Sequence, residues 1–464
     1  VDAEVVGVLG QVMAQQRSAA TAFEYVCALG PGVKANCWAL AEAAGHEGWH
    51  RMQALLGSYR WDYRQLRGRL AALAAAWLPH EADDLIGPGI AIDETAALKR
   101  GDATAAVAPQ HAGCTGKVEN CVTTVFTAYV TATDQTWVDF DIYLPKRWVD
   151  DQRRRQQAAV PEALGLRTKP QLAIDQLDRL VTAGLPINWV AFDEVYGRSG
   201  ELRRACEEHN LAYVAIVPCN FPITTCAGTI RADAALADVV FERRSAGIGS
   251  KGRRYADWAL VATASPHHHL LIRRLISRPD QYTFYLCYAP PNQTATMTFF
   301  VTVSGRRWPV EETFATGKDV LGWDTCQART WTAQCRHTTL AALAQLRQTA
   351  IRARISRHPV PGAPPPAAQS TTIKPSEPAE DSDLQIPIAD APIPTRPNQP
   401  IPPRLGLIGL TVAETARLAD LAADWTAGLI THAYLTFKLR WSARRRRHQA
   451  TARWRHHTTR LARP

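Results

Sequence analysis

Two short runs, Gly89-Ile-Ala-Ile ahead of Asp93 and Trp189-Val-Ala-Phe ahead of Asp193, constrain the fold more than anything else in the chain. Each is apolar throughout, follows a turn-forming proline or Gly-Pro pair, and ends in an acid, which reads as a buried strand with a carboxylate at its exit. Between them, "NCVTTVFTAYVTA" and "TWVDFDIYLP" are β-rich and joined by the polar "TDQ", which predicts an antiparallel hairpin. In its second arm Val138, Phe140, Ile142 and Leu144 alternate with Asp139, Asp141 and Tyr143, so the two aspartates are expected to face water. "KPQLAIDQLDRLVTAG" reads as a helix ending at Gly184, and "SGELRRACEEHNLAYVAIV" as a helix from near Ser199 followed by a strand. Strand, hairpin, helix, strand, helix, strand is an α/β plan with a mixed sheet.

With 464 residues the chain exceeds one ordinary core. Residues 1–85 carry helical periodicity, with Arg51, Arg60, Arg64, Arg67 and Arg69 available on a helical surface; this small domain either binds DNA or simply packs. Residues 86–217 hold the first part of the α/β core. Residues 218–303 turn mostly β, with "LADVVFE", "DWALVATA", "YTFYLCYA" and "MTFFVTV" as candidate strands of an insertion, and 304–358 return to helix. Residues 359–403 contain 14 of the chain's 30 prolines and cannot bury enough apolar surface to fold, so an extended linker is expected. Residues 404–464 form a last helical stretch and a basic arm.

The net charge of +10 is carried by that arm, because Lys438–Pro464 holds ten Lys and Arg residues and no acid. Such an end is either solvated and disordered or displaces counterions from a nucleic acid backbone. Arg444, Arg445, Arg446 and Arg447, with Trp441 and Trp454 as stacking surface, favour the second. The ten cysteines show no CxxC pair, which excludes an obvious zinc site or disulfide framework. No basic segment with a short apolar run and cleavage site opens the sequence, and no uncharged 18-residue apolar stretch occurs, so a soluble cytoplasmic protein without a membrane span is expected.

A carboxylate at a strand exit is a helix cap, a turn former or a catalyst. "SGRRWPVEETFATGK" (Ser304–Lys318) offers a third acid. On an α-helix Glu311 and Lys318 fall within about 20° of each other, whereas Glu312 is turned by about 100° from its neighbour. Val310, Phe314 and Leu321 form an apolar stripe beside the pair, and Arg307 joins that face if the helix extends before Pro309. Alone, the stretch is an amphipathic helix with solvated charges. Together with Asp93 and Asp193 it makes an oxygen-ligand set suited to Mg²⁺ or Mn²⁺, where two ions activate an oxygen nucleophile and stabilise the leaving oxygen of a phosphodiester. Arg307 and Lys318, and Lys99, Arg100 and Lys117 near the first acid, are candidate phosphate contacts. His267, His268 and His269 are consecutive, which favours a loop or strand edge over a metal site; Trp308 is either a base-stacking surface or, as such tryptophans usually are, core.

Six segments taken together, "IDETAALKRG", "GKVENC", "YLPKRWVDD", "TKPQLA", "FDEVYG" and "GRRWPVEETFATGK", resemble in content and order the DDE transposases of bacterial insertion sequences, over about residues 41–354. The resemblance implies an RNase H-like catalytic domain with a β-rich insertion between the second and third acids, and it implies Asp93, Asp193 and Glu311 as the metal-binding triad. One branch carries a helix signature of Tyr, Arg, Glu and Lys; Ser304, Arg307, Glu311 and Lys318 stand at those positions, and Ser304 departs from the Tyr, which leaves any hairpin-holding step without its ring. The implied reaction is cleavage at the inverted repeats of the element and attack of the released 3′-hydroxyl on target DNA, by a homodimer on double-stranded DNA. An RNase H-fold endonuclease without strand transfer and an inactive DNA-binding descendant are the alternatives.

Overall fold

A computed structural model describes residues 1–78, 80–81, 84–249, 252–357, 408–426 and 428–461. The Pro-rich 359–403 stretch lies outside the described residues. The chain divides into two compact units, Val1–Arg244 with Ala256–Ala350, and Ser245–Tyr255 with Ile351–Pro464.

In the first unit, helices α1 to α5 (Asp2–Val12, Gln16–Ala28, Cys37–Ala43, His50–Leu56, Tyr63–Trp77) precede β1 (Gly89–Leu98), β2 (Ala108–Ala112), β3 (Lys117–Val130) and β4 (Gln135–Ile142). Two short helices, α6 (Lys146–Val149) and α7 (Gln152–Gln157), lead to α8 (Lys169–Thr182). Then come β5 (Trp189–Phe192), α9 (Glu194–Gly197), α10 (Gly200–Glu208) and β6 (Ala212–Val217). The helix before β5 starts where its sequence dictates: Thr168 accepts from the Gln171 amide while the Gln171 side chain accepts from the Thr168 amide, a capping box with Pro170 in the first turn.

The sheet order is β2-β3-β1-β5-β6, with β4 also on β3. β1 pairs antiparallel with β3 and parallel with β5, and β5 parallel with β6, giving the mixed sheet of an RNase H-like fold. β7 (Pro222–Thr225) and β8 (Gly228–Arg231) form a separate hairpin, but β9 (Glu242–Gly249), β10 (Gly252–Ala262), β11 (His268–Leu275) and β12 (Arg278–Tyr288) extend the main sheet beyond β6 in the order β12-β11-β10-β9. The strands of the β-rich insertion thus add to the edge of the main sheet. Its last candidate strand, "MTFFVTV", is helical instead: α11 spans Met297–Arg307, opened by Thr296 accepting from the Phe299 amide. β-branched and aromatic residues mark a surface to be packed as much as a strand, and here Phe300 and Val303 are buried on a helix that packs on the sheet.

α12 (Pro309–Ala315) follows after Trp308 and runs into a wider π turn, Thr316–Val320. Pro309 has no N–H to continue the ladder, which separates the two helices. α12 sits on an aromatic cluster: Phe126 stacks on Trp137 at 4.2 Å between ring centres and meets Trp323 edge-on at 5.3 Å. Trp137 donates to the Thr313 hydroxyl at 2.9 Å, and Gln345 of α13 (Trp331–Arg357) donates to the Thr313 carbonyl at 2.8 Å. Gly317 is required at this contact, since a Cβ there would stand 2.0 Å from Trp137.

The β4 aspartates do not face water. Asp139 is 3% exposed, and Arg67 of α5 and Arg179 of α8 reach it at 3.4 and 2.8 Å. The same two arginines bind Asp141. The outer face of β4 is covered by α5 and α8, so Arg67 is an internal counter-ion and not a surface residue.

In the second unit, α14 (Val412–Thr426) packs on α15 (His432–Leu461), so the basic arm is helical over the described residues. Among the described residues no helix is long and apolar enough to cross a membrane.

Candidate active site

Because β1 and β5 run parallel with Ile92 beside Phe192, Asp93 and Asp193 are the next residues on neighbouring strands. Each is fixed through one oxygen by its own backbone. Asp93 Oδ1 accepts from the Glu94 amide at 2.8 Å, and Asp193 Oδ1 accepts from the Val195 and Tyr196 amides at 2.9 and 3.3 Å, capping α9. Asp193 is therefore a helix cap, and its other oxygen has no hydrogen bond among the described residues.

The arginine pair of "SGRRW" divides its work. Arg306 forms a two-pronged pair with Asp84, at 2.8 and 2.6 Å, and donates to the Gly87 carbonyl, holding α11 to the loop before β1. Arg307 turns the other way: Nη1 donates to Asp93 Oδ2 at 3.2 Å and Nη2 to Glu311 Oε1 at 3.3 Å. It thereby links an acid on the sheet to the acid on α12. Glu312 takes a hydrogen bond from Gln135 at 2.8 Å and is exposed, as its place on the helix predicts. Lys318 lies in the π turn, so its phase relative to Glu311 is not that of an unbroken α-helix, and no ion pair joins the two. Ser304 hydrogen-bonds within its own helix, to the Val301 carbonyl. Trp308 is 47% exposed beside Arg307, unlike the core position usual for such a residue.

Burial, and then the Asp193 carboxylate, push the Asp93 carboxyl up to about 7 against the opposing pull of Arg307. Asp193 is raised as well, by burial first and then by Glu94, against its two amide bonds and Arg307. Two half-buried carboxyls on neighbouring strands, with a third beside the same arginine, are chemically suited to a hard divalent cation. Among the described residues no three acid, His or Cys side chains converge closely enough to hold an ion in the arrangement seen, with Arg307 between Asp93 and Glu311. A cavity of about 720 Å³, lined by Arg204, Phe221 and His268 among others, touches none of the three acids.

The outlying basic candidates are placed elsewhere. Lys99 donates to the carbonyls of Asp324 and Cys326, at 3.0 and 2.7 Å, which engages two of its three N–H groups in tying β1 to the segment after α12. Arg100 and Lys117 are exposed. Lys117 stands nine residues along β3 from Phe126, the partner of Asp93, or about 30 Å away. In the second unit Arg445 pairs with Glu414 at 3.1 Å, Arg446 donates to the Ile408 carbonyl at 2.7 Å, and Arg447 is exposed. The side chain of Arg444 lies outside the described residues. Trp454 is buried, which leaves Trp441, half exposed, as the stacking surface of that helix. His268 sits on β11, held by Glu207 and Ser265, and His269 lies against Phe300.

Three residues beside the acids escaped the reading of the sequence. Glu94 receives Lys169 on Oε1 and the Tyr196 hydroxyl on Oε2, both at 2.6 Å. They come from "IDET", "TKPQ" and "FDEVYG", three of the segments that carried the family resemblance. That common membership was the available signal; their pairing was not, since it requires the sheet to bring residues 94, 169 and 196 together.

A family model described as DDE superfamily endonuclease matches residues 8–233, and one described as Transposase DDE domain matches residues 167–346. A probable transposase for insertion sequence element IS701 from Microchaete diplosiphon is 30% identical over 183 residues, 39% of this chain and 44% of that protein. The matched region thus spans less than half the length of that curated relative. The two models overlap and together run from residue 8 to residue 346, and with the mixed sheet and the IS701 relative they support a DDE-type insertion-sequence transposase.

Proposed function

We propose that this protein cuts DNA at the ends of an insertion sequence and joins the released 3′-hydroxyl to target DNA, with Asp93, Asp193 and Glu311 as its essential acids. The observation that carries the reading is the meeting of Asp93 at a strand paired with the one ending in Asp193, and of Glu311 with Asp93 through one arginine. Asp93 and Asp193 would hold Mg²⁺ or Mn²⁺, two ions in the family's manner, with Glu311 as the third ligand. Such ions supply an activated oxygen nucleophile and neutralise charge on the phosphate and leaving oxygen.

The chain's own residues position what reacts. The backbone bonds to one oxygen of each aspartate keep the carboxylates oriented before DNA arrives, so little reorganisation is left for the chemical step. Arg307 can exchange a carboxylate for a phosphate oxygen of the bound strand, the bidentate partner its guanidinium suits, and Lys318 is a second point charge on the same helical segment. In the first step a water oxygen bonds to phosphorus, the P–O3′ bond breaks, and the strand leaves with a 3′-hydroxyl. In the second, that hydroxyl oxygen attacks a target phosphodiester and displaces the target's own 3′-oxygen. Both are in-line displacements, so no covalent protein intermediate is needed. The exposed arginines of α15, Arg447 among them, contribute phosphate contacts outside the site. A homodimer brings two ends together, and the protein acts on DNA in the bacterial cytoplasm.

The test incubates the purified chain with the inverted repeats flanking its own gene, with and without Mg²⁺. Nicked ends and joined products in Mg²⁺, both lost with Glu311→Gln, are expected. Nicking by Glu311→Gln at the wild-type rate contradicts the assignment, and cleavage without joined products leaves an endonuclease.

A further inference from the structure

We infer that Glu94 is a positioning residue for the two aspartates: through Tyr196 and Lys169 it sets where Asp193 stands relative to Asp93, and so how tightly the pair holds a divalent cation. The inference rests on the proposed metal-dependent reading of the site and goes beyond it, since Glu94 is not one of the three acids.

Both Glu94 oxygens are engaged, by the Lys169 ammonium and the Tyr196 hydroxyl at 2.6 Å each, so the side chain is not free to act as a ligand itself. Tyr196 is fully buried, and its hydroxyl has this one acceptor among the described residues. Its backbone amide meanwhile donates to Asp193 Oδ1. The helical turn capped by Asp193 is therefore fastened at its third residue to the residue that follows Asp93. Lys169 adds a third element, since it opens α8, whose capping box fixes the first turn from which the ammonium reaches Glu94. Strand β1, the α9 turn and the start of α8 meet at one carboxylate. Supports of this kind, one bond removed from ligands, change metal affinity or activity by about 10–100-fold when removed.

The full-length protein is titrated with Mn²⁺ by calorimetry, alongside Glu94→Gln, Tyr196→Phe, their double variant and Asp93→Asn, with thermal midpoints recorded for each. Glu94→Gln keeps an acceptor for Tyr196 and loses the charge that holds Lys169; Tyr196→Phe keeps the ring and loses the hydroxyl. The expected result is an Mn²⁺ affinity lower by about 10-fold or more for Glu94→Gln and by a smaller factor for Tyr196→Phe. The double variant should fall short of the product of the two, because both act through one contact. In cleavage of end DNA, kcat should fall while KM for DNA stays. Variants that melt earlier yet bind Mn²⁺ as the wild type does would show a purely structural role and overturn the inference. Asp93→Asn distinguishes the deeper failure: if it binds Mn²⁺ like the wild type, the metal-site reading itself falls.

Discussion

One sheet carries two pairs of aspartates, and they are neutralised in opposite ways. On β4, Asp139 and Asp141 share two arginines, Arg67 from α5 and Arg179 from α8. Midway along β1 and at the end of β5, the ion pairs of the three candidate acids run to Arg307 alone among the described residues, from Asp93 and from Glu311. The first group is matched charge for charge and holds two helices to a strand. The second has more carboxylate than cation and is only partly buried, with Asp93 16% and Glu311 42% exposed, so solvent as well as Arg307 offsets the excess negative charge. The two groups of acids thus differ both in counter-charge and in burial.

The two groups should therefore respond oppositely to substitution. The largest effect is expected from Asp93→Asn or Asp193→Asn: cleavage falls at least about a thousandfold, several kcal/mol at roughly 1.4 kcal/mol per decade, while the thermal midpoint stays or rises because a repulsion is removed. Arg67→Met should do the reverse. With Asp139 left buried beside one arginine instead of two, urea denaturation should show a loss of about 3 kcal/mol, and the metal response of the folded fraction should be unchanged. If Arg67→Met abolishes metal-dependent cleavage in folded protein, the two groups are not functionally distinct. Gly317→Ala tests the seat of the third acid: the added methyl meets Trp137, so a loss of about 1–3 kcal/mol is expected, with a further fall in cleavage if the shift carries Glu311 along. The smallest effect belongs to Arg447→Ala, which should weaken binding to all DNA sequences alike and reduce the salt slope of log K by about 1.

The contrast between the groups also marks what could be read in the sequence. Asp193 was legible because an all-apolar strand and the acid at its exit are both local; the same reading found Asp93, although β1 runs on past it to Leu98, and the apolar stripe marked the helix around Glu311 but not the π turn that takes Lys318 out of phase. Asp139 and Asp141 misled because alternation along β4 shows only that its two faces differ, not that the second is open; α5, some seventy residues upstream, covers it. α11 was hidden for a related reason, since Phe299, Phe300, Val301 and Val303 suit any buried surface and only the Thr296 cap points to a helix. The Glu94 contacts were beyond reach, because each of their three residues is an ordinary charged or aromatic residue until the sheet and two helix starts bring them together.

The measurement that bears most directly on the three acids is single-turnover cleavage of labelled inverted-repeat DNA in Mg²⁺ by wild type, Asp93→Asn and Arg67→Met, each at matched folded concentration. The expected result is free 3′-hydroxyl ends from the wild type and Arg67→Met and none from Asp93→Asn. Equal cleavage by Asp93→Asn would contradict it and would make the unmatched carboxylates of this sheet an incidental feature of the fold.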